Sequence, residues 1–275
     1  MQRILLGSQL RRLREAKTIS AEDAGFAIRA SQSKISRMEH GRVGFKERDV
    51  ADLLTLYGVV DEAERETFLE LARQANSPAW WHQYSDVMPS WFEPYIAFEE
   101  ASALVRCVES RYVPDLLQTS EYAHAIAALE PADLTLDDAS RQTAFKLRRQ
   151  RLLKGDAPTP VWFLLDEAVL YRAVGGPDVL HEQLRHLAEV GSHSPVTIQI
   201  VPSTAPRRED GPFVLLRFAE HALPDVVFVE HSNFGLYFDR ASDVEWYVKQ
   251  FDILASVAMS PKGSMRLIRE LAERR

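Results

Sequence analysis

The sequence predicts two domains: an N-terminal all-α domain of five helices, then an α+β domain with a mainly antiparallel sheet and flanking helices. Three observations carry this. A length of 275 residues exceeds what one hydrophobic core usually serves. Apolar residues recur every three to four positions through the first 75 residues. From Pro160 onward the pattern changes to short, nearly continuous apolar runs separated by turn signals. The expected division is residues 1–76, an aromatic-rich junction at 77–92, and residues 93–275.

The first helix is expected over Leu5–Ala16, with Leu6, Leu10 and Leu13 inward and Arg11, Arg12 and Arg14 outward. Ser20 is a good N-cap for a second helix, with Asp23 three residues on and Ala24, Ala27 and Ile28 as its apolar face. Arg29 and Ala30 form a tight turn, and Ser31 caps a third helix, Gln32–Glu39. There Ile35 and Met38 share the inward face, leaving Gln32, Ser33, Ser36 and Arg37 on a short polar face that can meet base edges. Gly41 stands where a left-handed residue ends a helix. Lys46–Tyr57, with Val50, Leu53, Leu54 and Tyr57 inward, and Asp61–Ala75, with an acidic first turn, complete the five.

Asn76-Ser77-Pro78 closes this region. Trp80, Trp81, Tyr84, Trp91 and Phe92 follow in close succession, and a second group gathers at Trp162, Phe163 and Tyr171. These rings either fill the core or line a surface for a ligand or protein partner; Trp80, Trp81, Tyr84, Trp91 and Trp162 are the candidates for that surface. Glu93–Val108 reads mostly as helix with a strand at Leu104–Val108, and Leu134–Lys154 as one long helix whose Lys146, Arg148, Arg149, Arg151 and Lys154 read as a solvated face or a second nucleic-acid patch. Strands are expected at Val161–Leu165, Val196–Val201, Phe213–Phe218, Val226–Glu230 and Asn233–Phe238, and helices at Asp178–Gly191, Asp243–Met259 and Pro261–Arg275.

Charge is unevenly placed. Residues 1–45 hold nine Lys or Arg against four Asp or Glu, whereas residues 80–275 hold twenty against twenty-eight, within a net charge of −7. Positive charge thus gathers on the segment with the polar short helix, where it attracts a phosphate backbone. The single cysteine, Cys107, leaves no intrachain disulfide framework and suits a reducing cytoplasm. No apolar run is long enough to span a bilayer, and the N-terminus reads as an amphipathic helix rather than a cleavable leader.

No nucleophile elbow, phosphate loop, zinc-protease helix or paired Cys-x-x-Cys occurs, so no enzyme, cofactor or metal is expected. His181, His186 and His193 lack ligand spacing; Asp166-Glu167 and Glu230 read as capping or ion-pair residues before catalytic ones.

The string S-x-S-K-I-S-R-M-E-x-G-R, from Ser31 to Arg42, resembles the helix-turn-helix of Cro/C1-type (XRE), lambda-repressor-like regulators. Gly25 stands where that family usually has Ala, and Arg29 and Thr18 where it has Gly. The resemblance implies that Gln32, Ser33 and Arg37, with Lys34 and Ser36 close by, read bases of double-stranded DNA. Arg11, Arg12, Arg42 and Lys46, with the helix start at Ser20 and Ala21, would hold its backbone. Downstream, V-P-D-L-L-Q-T-S-E-Y-A at Val113–Ala123, with W-W-x-x-Y before it, is similar to the C-terminal domain of WhiJ-type regulators of actinobacteria, with Asp115 in place of a turn Gly. The expectation is therefore a homodimeric transcriptional regulator that senses a small acidic protein partner or a small-molecule effector. An antitoxin-like protein-interaction module with secondary DNA binding is the alternative.

Overall fold

The computed structural model describes residues 2–39, 43–76, 79–129, 135–155, 157–192, 195–206, 211–219, 223–231 and 233–273. The chain divides into two compact units between His82 and Gln83. The expected junction is therefore split: Trp80 and Trp81 fall in the first unit, Tyr84 and Trp91 in the second.

The first unit holds α1 (Gln2–Ala16), α2 (Ala21–Ala27), α3 (Gln32–Glu39), α4 (Glu47–Leu56) and α5 (Glu62–Asn76). Leu6, Leu10, Ile35, Met38, Val50, Leu54 and Tyr57 meet in its core. Two glycines let helices and turns approach closely. A Cβ on Gly7 would sit 2.4 Å from the Met38 carbonyl oxygen, and one on Gly25 would sit 2.7 Å from that of Ala30. Gly25 thus replaces the expected Ala because the turn after α2 folds back onto it. Ala27, expected inward, is exposed; Ile28 takes the buried position beyond the helix end.

Three helices of this unit end in the same Schellman motif. After α1, Thr18 N–H donates to Glu15 and Ile19 N–H to Arg14, at 2.9 and 3.1 Å. After α2, Arg29 N–H donates to Phe26 and Ala30 N–H to Gly25, at 3.1 and 2.8 Å. After α4, Gly58 and Val59 repeat the pattern with Thr55 and Leu54. The motif needs a left-handed residue, and φ is 55° at Thr18, 54° at Arg29 and 74° at Gly58. Only the last is glycine, so Thr18 and Arg29 hold strained backbone. Gly41, expected in that role after α3, lies outside the described residues.

The second unit is a six-stranded sheet with helices on its faces. Its strands are β1 (Ser102–Glu109), β2 (Val161–Asp166), β3 (Val196–Val201), β4 (Phe213–Phe218), β5 (Val226–His231) and β6 (Phe234–Phe238). Their spatial order is β3-β2-β1-β4-β5-β6. β1–β2 and β2–β3 are parallel; β1–β4, β4–β5 and β5–β6 are antiparallel. The helices are α6 (Glu93–Glu100), α7 (Ser120–Ala127), α8 (Leu136–Arg149), α9 (Pro177–Val190), α10 (Ala241–Val257) and α11 (Pro261–Glu273). Two expectations are corrected. Glu93–Val108 is a short helix followed by a full strand from Ser102, and the long helix Leu134–Lys154 is α8 plus a 3-10 turn, Gln150–Leu153. Thr135 begins α8 with a reciprocal capping box to Asp138.

Side chains alternate across the sheet. Trp162, Leu164, Leu215 and Val227 pack under α10, with Phe251 in their midst. Tyr95 of α6 covers the opposite face, its ring 4.4 Å from that of Phe228.

Candidate nucleic-acid interface

In α3, burial separates the two faces cleanly. Ile35 and Met38 are each 1% exposed, while Gln32, Ser33, Ser36 and Arg37 are exposed. Ser31 begins the helix, its hydroxyl accepting the Lys34 N–H at 3.2 Å. The Arg37 guanidinium lies back along the helix, Nε donating to the Ser33 carbonyl at 3.3 Å. Lys34 is placed differently from the other four. Its ammonium is 2.6 Å from the buried Asp49 of α4, so it ties α3 to α4 rather than extending from the polar face.

α3 is anchored by a network not apparent from its own sequence. Arg14, expected to point outward, turns inward and grips Glu39 at the end of α3 through two hydrogen bonds of 2.6 and 2.9 Å. A third bond, 2.9 Å, reaches the Ile19 carbonyl. Glu39 is only 8% exposed, and the buried Tyr57 hydroxyl beside it has no hydrogen-bond partner among the described residues. Burial, reinforced by the Glu39 charge, pushes the Tyr57 hydroxyl far up. A second anchor is Asn76, the last residue of α5, whose amide brackets the Phe45 backbone: its oxygen accepts the Phe45 N–H at 3.0 Å and its nitrogen donates to the Phe45 carbonyl. Asn76, expected to close the first domain, is thus also a clamp on the α3–α4 connection.

The expected backbone-contact residues fall into separate situations. Arg11 and Arg12 are exposed on α1, and the Arg11 hydrogen bond to Glu15, 2.7 Å long, holds the Glu15 carboxyl below its ordinary range. Ser20 is exposed and caps α2, accepting the Asp23 N–H at 3.0 Å, with Ala21 half-buried behind it. Lys46 is exposed and precedes α4 as its N-cap residue. Arg42 lies outside the described residues.

The candidate aromatic surface is not one surface. Trp162 lies under α10, edge-on to Phe251, with its indole N–H donating to Gln199 at 2.8 Å. Trp91 lies on the opposite face, against Gly235 and Phe92. Tyr84 packs on Phe145, and Trp80 meets Trp81 edge-on in the other unit. Tyr171 is 55% exposed. Trp80, Trp81, Tyr84, Trp91 and Trp162 are each half-buried, at separate places.

Of the basic run, Arg151 and Lys154 lie beyond α8 and are exposed, as a solvated face would be, but Arg149 is not. Arg149 is buried, forming a bidentate pair with Glu99 at 2.8 and 2.9 Å and a 2.7 Å bond to Asp115. Lys146 meets Asp115 at 3.3 Å, and Tyr95 donates to Glu99 at 2.7 Å. Burial pushes the Asp115 carboxyl up, but Lys146 and Arg149 outweigh it and hold the group below its ordinary range. Glu230, exposed near the end of β5, faces the same charged region with no cation in contact among the described residues; desolvation by nearby protein, with the Asp115 charge, pushes it up to about 7. The Val113–Thr119 backbone is held by three buried glutamines. Gln118 donates to Val113, Gln150 to Asp115 and Gln118, and Gln183 to Leu117 while accepting the Thr119 N–H.

Asp166 caps the following turn through Ala168 N–H at 2.7 Å, and Glu167 accepts the Ser203 N–H. Among the described residues no His, Cys, Asp and Glu group could hold a metal ion, and no helix is long and apolar enough to cross a membrane. His193 lies outside them.

Residues 92–270, from the end of the aromatic stretch through α11, match the family described as Domain of unknown function (DUF5753). The chain belongs to the DUF5753 family. Residues 5–68 match a Helix-turn-helix domain, spanning α1 to the middle of α5. No curated protein matches the chain, and no solved structure does. In this DUF5753 protein the matched helix-turn-helix carries the exposed polar face of α3, and the DUF5753 region carries the Arg149 network and the sheet.

Proposed function

We propose that this DUF5753 protein is a sequence-specific, double-stranded-DNA-binding transcriptional regulator. In this reading it is a Cro/C1-type head joined to a WhiJ-type domain that senses a protein partner or small ligand, with no chemical step of its own. The observation that carries the reading is α3. A helix of two turns keeps Gln32, Ser33, Ser36 and Arg37 exposed on one face while Ile35 and Met38 lock the other into the core. A major groove admits one helix, and Arg and Gln are the side chains that discriminate guanine and adenine there. The local excess of Lys and Arg in residues 1–45 supports phosphate attraction to the same unit. A single reading helix meets one half-site, so the reading includes a homodimer on a two-fold-related site.

The test is selection of genomic fragments by purified full-length protein, with and without cell extract. The reading expects fragments sharing a half-site repeated about one helical turn apart, and a change in occupancy with extract, since coupling between sites is typically ~1–3 kcal/mol. Enrichment no better than bulk sheared DNA at moderate salt refutes the DNA-reading role. Enrichment indifferent to extract and metabolites refutes the sensing role.

A further inference from the structure

The two edges of the sheet are treated differently. At β3 the chain closes its own edge. The Ile200 N–H donates to the Ser264 hydroxyl at 2.9 Å, and the Met259 N–H donates to the Ile200 carbonyl at 2.8 Å. Gln199 adds a 2.8 Å bond to Met259. At β6 no such cover exists among the described residues; the strand bonds inward to β5, and only the Tyr237 hydroxyl reaches elsewhere, to Trp91. Edge strands that stay unpaired usually carry a lysine, a proline or a bulge. Phe234-Gly235-Leu236-Tyr237-Phe238 has neither charge nor proline, and its register with β5 is unbroken.

The exposed apolar area of this strand lies on one side. Phe234, Leu236 and Phe238 alternate onto the α10 face, where Phe238 meets Tyr247. Phe234 and Leu236 remain 42% and 46% exposed. α10 begins three residues after β6, and Trp246, five residues along it and roughly 8 Å from its start, is 39% exposed.

We propose that β6 pairs with β6 of a second copy, antiparallel about a two-fold axis at Leu236, joining two sheets into one across the subunits. The occupant is a second copy because the strand is self-complementary. A two-fold perpendicular to the sheet keeps Phe234, Leu236 and Phe238 of both copies on the same side and places Leu236 opposite its counterpart. Five residues of ladder bury less than the ~800 Å² per partner of a standard interface. The inference deepens the homodimer of the proposed function, but its readout involves no DNA, so either can fail alone.

The experiment is sedimentation velocity on full-length protein at micromolar concentration, with the fold checked by circular dichroism. Wild type is expected to be dimeric. Leu236→Lys should weaken association roughly 30-fold or more, the size expected of a central interface residue, with unchanged secondary structure. Leu236→Cys keeps the surface apolar and serves if the lysine variant does not fold. Residues directly opposite in an antiparallel pair have Cα atoms ~4.5–5.5 Å apart, within disulfide range. Mild oxidation should therefore give a covalent dimer, which wild type, with only buried Cys107, does not form. A monomeric wild type, a folded Leu236→Lys variant that stays fully dimeric, or absence of the Leu236→Cys cross-link overturns the proposal.

Discussion

Removing one partner of the Arg14–Glu39 pair tests how α3 is held. In Glu39→Ala, Arg14 loses its bonds at 2.6 and 2.9 Å and keeps only Ile19 and a 3.7 Å approach to Glu15. The Arg14 side chain is 12% and that of Glu39 7% exposed, so little water can take the place of the carboxylate. Breaking a buried pair on one side costs about 3–5 kcal/mol; the retained Ile19 bond and partial access place this case near about 3. For a domain of this size that lowers its melting temperature by roughly 12–24 °C. Amide hydrogen exchange in α1 and α3 reads the first unit alone, and its protection should fall correspondingly. The double variant Arg14→Met, Glu39→Leu removes both charges and should recover most of the loss. A Glu39→Ala cost below about 1 kcal/mol, or a double variant as unstable as the single, refutes the claim that a desolvated charge pair fixes the end of α3.

Thr18→Gly and Arg29→Gly each relieve a left-handed residue. The gain of ~1–2 kcal/mol per site, less ~0.5–1 for glycine's freedom in the unfolded chain, leaves each variant more stable by up to about 1.5 kcal/mol in urea titration. Asp115→Asn tests linkage. Because the folded-state pKa is depressed, the stabilisation is present above the unfolded value near ~3.9 and is lost as pH falls through the folded one. The variant should be less stable than wild type at pH 7, with the gap closing in acid melts below about pH 4. Arg37→Ala should cost on the order of 1–3 kcal/mol at one base position and relax specificity there; equal weakening on every sequence in a binding array makes Arg37 a phosphate contact instead.

Regular burial was legible in the sequence. β3 at Val196–Val201 and β4 at Phe213–Phe218 coincide with the expected runs, because a strand buried on both faces is a continuous apolar word with turn residues at its ends. The inward residues of α4 follow from spacing alone. Ion pairs leave no such trace. Arg14 and Arg149 occupy positions that a helical wheel assigns to solvent, and only the arrival of Glu39, or of Glu99 and Asp115, from distant segments turns them inward. For the aromatic residues the sequence left packing and surface open, because proximity in the chain does not say which face a ring takes: alternation along β2 sends Trp162 and Phe163 to opposite faces.

The departures from the expected glycines show where resemblance stops informing. At Thr18 and Arg29 the backbone is left-handed regardless, so the Schellman geometry is imposed by the fold and the side chain is strained. At Asp115, where a turn glycine is expected, the backbone has a different basis. Neither positive-φ non-glycine residue lies there, and the segment begins a 3-10 turn that any residue can enter. What Asp115 adds is a carboxylate within 2.7 Å of Arg149 and 3.3 Å of Lys146, two cations that one Glu99 carboxylate would leave undercompensated in a desolvated site. Asp115 and the basic run on α8 are therefore one feature. Residues 34 positions apart in sequence carry it, and neither segment read alone distinguishes a buried charge network from a solvated basic face.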